Sequence, residues 1–192
     1  MSGLSNLPDE NRTLLGAYEG ARIVAYDGNE LSTLFADMEG EYHSDVLHNF
    51  ITGVHDIWIY GPFNCLRFLG SSIETITVFD NGNWMILEEC PELTTVAIAG
   101  HVDQLHILKC GKILALSGLP GVQCIYAQEC AKLKEIGNCR VLESLSMRSC
   151  ARMKKVCDLP CLSRVSISDC PLLTRPTGLE VPESCVVLPQ ME

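Results

Sequence analysis

The chain of 192 residues carries a formal net charge of −10, is 47% hydrophobic and holds eleven cysteines. That is enough apolar material for one domain with a continuous core. The acidic balance, with no coherent basic stripe, speaks against a nucleic-acid partner, and the apolar runs are far too short for a helical membrane span.

Met1 to Asn11 is polar and lacks the charged start and apolar centre of a signal peptide, so a soluble, cytoplasmic chain with no membrane partner is expected. Asn11-Arg12-Thr13 matches a glycosylation sequon, which without a leader reads as chance. Ala21 to Tyr26 predicts a strand and Asp27-Gly28 a turn. Leu31 to Met38 and Ser44 to Ile51 carry apolar residues at helical spacing, with Ser44 able to cap the second helix. Residues 1–53 therefore predict an α/β cap over the open end of a solenoid that begins at residue 54.

From residue 54 the chain repeats. Val54, Ile57 and Ile59, then Ile73, Ile76 and Val78, then Leu93, Val96 and Ile98 recur at nineteen and twenty residues. A second phase is marked by cysteines at 90, 110, 130, 150 and 170. Around them Val102, Leu105, Ile107, Cys110, Ile113, Leu116 and Leu119 set a frame that the next three units reproduce. Met85, Leu87, Cys90, Leu93, Val96 and Ala99 carry it one unit upstream, with Gly82 in place of the first apolar residue. Strands on both faces fit the two phases, and the N-terminal half also reads as a narrow parallel β-solenoid with two strands per turn. Either phase could form a concave sheet there. The repeats are assigned to 54–179, and a tail punctuated by Pro182 and Pro189 to 180–192.

The run L-x-x-L-x-L-x-x-C followed by spaced leucines resembles the leucine-rich repeat over roughly residues 54–185. It is most similar to the short repeats of bacterial secreted effectors and of cysteine-bearing intracellular proteins. The resemblance implies a repeat solenoid, mainly β and curved, with short parallel strands and little helix outside the N-terminal α/β cap. It also implies that the ladder cysteine bonds backbone groups inside its turn.

No reaction centre stands out, and an enzyme is not expected. Zinc needs four converging ligands, whereas a ladder points its thiols along a line and no C-x-x-C occurs. Thiols in this number, with a large core, suit a reducing compartment better than a disulfide scaffold. Among the other cysteines, Cys124 falls beside a strand, and Cys157 and Cys161 in a return loop with Pro160. His101 and Asp103 share a parity that His106 lacks, so the two rings are expected to point apart. Asp80-Asn81-Gly82-Asn83 reads as a turn because the later glutamate of a calcium loop is missing. Neither a metal nor another cofactor is expected.

A strand in such a repeat buries its leucine-type positions and exposes those between them. The candidate partner-binding residues are therefore Trp84, Ile86, His106, Tyr126, Gln128, Arg148 and Arg164, with Trp58 and Tyr60 equivalent in the other phase. Aromatic residues amid polar ones suit protein recognition. The expected function is a protein-interaction module, monomeric rather than oligomeric, that binds a partner protein through its strand face. The alternatives are an enzyme with a dispersed Cys/His site and a secreted effector that acts by binding a host protein. Lys132, Lys134, Arg152, Lys154 and Lys155 form a second patch on the return segments, suited to solubility or to an acidic partner.

Overall fold

The structure, a computed structural model, describes residues 20–26, 31–37 and 53–173. Among them there are fourteen strands and no helix. The strands are β1 (Gly20–Tyr26), β2 (Leu31–Asp37), β3 (Asp56–Tyr60), β4 (Phe63–Leu69), β5 (Thr75–Val78), β6 (Gly82–Glu88) and β7 (Thr95–Ile98). They continue as β8 (Val102–Leu108), β9 (Ala115–Ser117), β10 (Val122–Gln128), β11 (Glu135–Gly137), β12 (Ser144–Arg148), β13 (Lys155–Cys157) and β14 (Arg164–Ser168).

From β3 onward the chain is a solenoid of about six turns, each with two strands. The even-numbered strands β4 to β14 form one continuous six-stranded parallel sheet. On the other side lie two shorter sheets, β2-β1-β3-β5-β7 and β9-β11-β13, and no strand pairing joins β7 to β9. Both phases of the repeat are thus strands, one for each side.

Stacking is in register. Leu66, Met85, Leu105, Ile125, Leu145 and Val165 stand one upon another through the six-stranded sheet, and Ile57, Ile76 and Val96 do so through the first. Their side chains meet in a single core between the sheets. A buried aliphatic side chain contributes roughly 1.5–3 kcal/mol, but a lone coil leaves both its flanks wet, so this burial exists only once neighbours stack. Within the upstream unit Ala99 is exposed and Ile98 turns inward instead. The shorter phase ending in Ile98 governs that stretch because β7 pairs in register with β5, placing Ile98 on the buried Val78.

Gly82 breaks the apolar column for a steric reason. A Cβ built there would lie 2.0 Å from the ring of Phe63, which already fills the space that Val102 and Val122 occupy in later coils. The chain leaves the six-stranded sheet through a left-handed residue just before each ladder position. Gly70, Glu89, Lys109, Glu129, Ser149 and Asp169 all have φ between 52° and 63°. Only the first is glycine, so the turn is imposed by stacking at positions where L-residues incur a conformational cost.

At the N-terminal end the predicted strand is present as β1. The predicted helix over Leu31 to Met38 is not: Leu31–Asp37 is β2, antiparallel to β1 from Tyr26↔Leu31 to Gly20↔Asp37. The apolar residues Leu31, Leu34 and Phe35 fit a helical period, but seven residues cannot settle a period. The free edge of β1 offers backbone groups that only a strand can satisfy along their whole length. β1 in turn pairs antiparallel with β3, so the two added strands cover the open edge of the first coil. Asp27-Gly28, the predicted helix at Ser44 to Ile51 and the tail from 174 onward lie outside the described residues.

Candidate interaction surface

The outer face of the six-stranded sheet carries three rows of side chains between the core positions. One runs Cys65, Trp84, Gln104, Cys124, Ser144, Arg164, and the next Arg67, Ile86, His106, Tyr126, Ser146, Ser166. The third runs Leu69, Glu88, Leu108, Gln128, Arg148, Ser168. Seven of the nine candidate residues, Trp84, Ile86, His106, Tyr126, Gln128, Arg148 and Arg164, therefore share one surface.

At its centre the aromatic rings form an unbroken run. The ring of His106 lies 5.4 Å from that of Trp84 at 36° and 5.4 Å from that of Tyr126 at 39°. Both distances fall in the favourable range for tilted aromatic pairs. The residues come from three successive strands, so flat pairing sets their spacing with no loop involved. Trp84 is the most open at 39% exposed, while His106 and Tyr126 are half-buried.

Polar neighbours bond the His106 and Tyr126 rings. Tyr126 Oη donates to Gln128 Oε1 at 2.5 Å, and Gln128 Nε2 donates to Glu129 Oε1 at 2.8 Å. His106 Nε2 lies 3.4 Å from Gln104 Oε1. Partial burial pushes the His106 pKa below its ordinary value, which favours the neutral ring. Arg67 pairs with Glu88 across one coil, and Arg148 stands 3.9 Å from Asp169.

Trp58 and Tyr60 lie elsewhere. Trp58 aligns with Val24 and Thr77 in the first sheet, on the other side of the solenoid from Trp84. Tyr60 is only 2% exposed and stacks on Phe79 with ring centroids 4.6 Å apart, so it offers no contact surface. Its outward parity predicts exposure, but the aromatic stack covers it. In exchange the surface gains β4, with Cys65, Arg67 and Leu69, none of them among the nine candidates. The signal is present as Phe63-x-x-Leu66-x-Phe68-x-x-Ser71, the same frame one nineteen-residue step before Met85, Leu87 and Cys90.

The cysteine ladder sits under the turns and is part of the fold. Cys90, Cys110, Cys130, Cys150 and Cys170 are buried and without disulfides. Each thiol faces the carbonyl two residues back in its own strand, at 3.3 to 3.6 Å. The middle ones also lie within bonding distance of a carbonyl in the coil below, Cys110 of Leu87 O at 3.5 Å and Cys130 of Ile107 O at 3.4 Å. The first rung is a serine: buried Ser71 lies 3.2 Å from the Cys90 sulfur. Hydrogen bonds from Cys110 and from Ser71 draw the Cys90 thiol down to about 7 against the opposing effect of burial, and the same bond to Cys90, with burial, pushes Cys110 up. Cys150 is held up to about 11, chiefly by its bond to Cys130. The remaining thiols are dispersed, with Cys124 on the outer face, Cys157 buried at the end of β13 and Cys161 exposed.

Of the stretch expected to be a turn, only Asp80 and Asn81 precede the strand, and Gly82 and Asn83 open β6. Asp80 accepts from the Gly61 N–H at 2.8 Å and Asn81 from the His101 N–H at 3.0 Å. His101 Nε2 bonds Asp103 at 2.9 Å, while His106 belongs to the aromatic run. Among the described residues no group of three or more His, Cys, Asp or Glu is placed to hold a metal ion. No family model matches the chain, and no curated protein or solved structure is significantly similar to it.

Proposed function

We propose that this solenoid is a protein-interaction module of leucine-rich-repeat type, which binds a partner protein through the outer face of its six-stranded sheet. The observation that carries the reading is the Trp84-His106-Tyr126 run at the centre of that face. Aromatic side chains bury a large area while losing few rotamers, and a stacked sheet holds them in place before the partner arrives. Glutamine, serine and arginine around them supply hydrogen bonds at the rim. The thiol-to-carbonyl contacts under the turns support the repeat class, and eleven cysteines beside a large core suit a reducing, cytoplasmic setting better than a disulfide scaffold.

The test separates folding from capture. Wild type, Trp84→Ala and Tyr126→Ala serve as baits in an extract of the native cell, with melting measured on the same samples. A protein retained by wild type should be held at least about thirtyfold more weakly by either variant, as for truncation of a central aromatic anchor, with melting nearly unchanged. Equal retention by all three baits would remove this face from the function.

A further inference from the structure

Three lysines of the solenoid are neutralised from coil to coil. Lys109 meets Glu89 at 2.8 Å, Lys155 meets Glu135 at 3.1 Å, and Lys112 pairs with Glu92, each twenty residues away. Elsewhere two stacked pairs of cations lack such partners among the described residues. Where the chain passes from the six-stranded sheet to β11 and β13, Lys132 and Lys134 are followed one coil later by Arg152 and Lys154, all four exposed. The coils touch here, with the Lys154 N–H donating to the Lys134 carbonyl at 2.9 Å.

None of these four side chains has a carboxylate partner among the described residues. Parallel strands lie ~4.8 Å apart, so cations stacked at equivalent positions repel and cost stability. The core beneath is closed by Leu133 and Met153, which lie between them and are fully buried. A like-charged cluster inside a protein of net charge −10 is complementary to something outside it.

We propose that Lys132, Lys134, Arg152 and Lys154 form a docking site for an acidic, extended polypeptide segment of a partner protein. The patch covers two adjacent coils, which suits a short run of carboxylates. A long polyanion such as nucleic acid would need free cations beyond these two coils, and Lys112, one coil before Lys132, is already paired with Glu92. The site lies apart from the aromatic face and stands or falls independently of it.

The test uses the full chain and a fluorescein-labelled decaglutamate peptide, read by anisotropy as salt is raised. Binding at low ionic strength that weakens with salt is expected, and Lys134→Ala with Lys154→Ala should weaken it by about fivefold, the scale of two exposed charge pairs. Lys109→Ala with Lys112→Ala removes the same charge from cations that already have partners and should change it less than about twofold. No binding, or equal loss in both double variants, overturns the proposal. So does tighter binding of a single-stranded oligonucleotide or of phosphatidylserine vesicles, which would assign the patch to another partner. Melting is the second readout: relief of repulsion should leave the Lys134/Lys154 variant at least as stable as wild type, and a lower melting temperature would show that these cations serve the fold.

Discussion

The thiol of Cys130 lies within bonding distance of carbonyls in two coils, Gln128 O in its own and Ile107 O in the one below, both at 3.4 Å, and its single hydrogen can serve either. Cys130→Ala loses this bond and leaves a small void, so a cost of about 1–3 kcal/mol in chemical denaturation is expected. Cys130→Ser should cost less, since Ser71 shows that a hydroxyl fits a rung of this ladder. A tightly bound zinc ion lost with either change would refute the structural role. Gly82 gives the opposite kind of test. Gly82→Val would drive a side chain into the Phe63 ring and should lower stability by about 1–3 kcal/mol, as overpacking does. Combining it with Phe63→Ala should recover part of that loss, and additive losses would mean that the ring is not the obstacle.

At the scale of the strand, β8 carries the titratable centre of the aromatic run. His106 has its folded pKa depressed below the ordinary 6.5 by burial, so the unfolded chain binds a proton more readily. The stability gained from a neutral ring is complete above pH 6.5 and is lost as pH falls through the lower folded value. Melting measured from pH 7 down to 5 should therefore decline more steeply for wild type than for His106→Gln, and identical profiles would contradict the assignment. The core of this strand is legible in the sequence, since Val102, Leu105 and Ile107 follow a period that only an inward-facing strand requires. The membership of β4 in the same sheet is harder to see because the first step is nineteen residues and ends on Ser71. The turns before each rung are not legible at all: Glu89, Lys109 and Glu129 have no preference for φ near 54°, and only the stacked neighbours hold them there. β2 departs from its helical expectation for the same reason, as pairing with β1 overrides a local pattern.

Across the described residues, the six-stranded sheet is the one layer that runs without a break, and it is the layer that carries the candidate surface. The opposite side is divided between β7 and β9. Of the surface itself, the Trp84, His106 and Tyr126 positions can be read from the repeat, because a fixed period places every non-core offset on one side. The loss of Tyr60 cannot, since its burial depends on a stack with Phe79 nineteen residues away.

The in-register stacking also makes the molecule a ruler graduated in coils. From Val102 onward residues one coil apart are interchangeable in position, Cys124 over Gln104 and Ser144 over Cys124. Excision of residues 122–141 would set Leu142 where Val122 stood and lay Ser144 directly on Gln104, with every inward column intact. Such a shortened chain should still melt cooperatively while losing Tyr126 and the partner that depends on it. Length can therefore be gained or lost in steps of ~4.8 Å by duplicating or deleting twenty residues, and the span of a bound partner can change without any new solution to the folding problem.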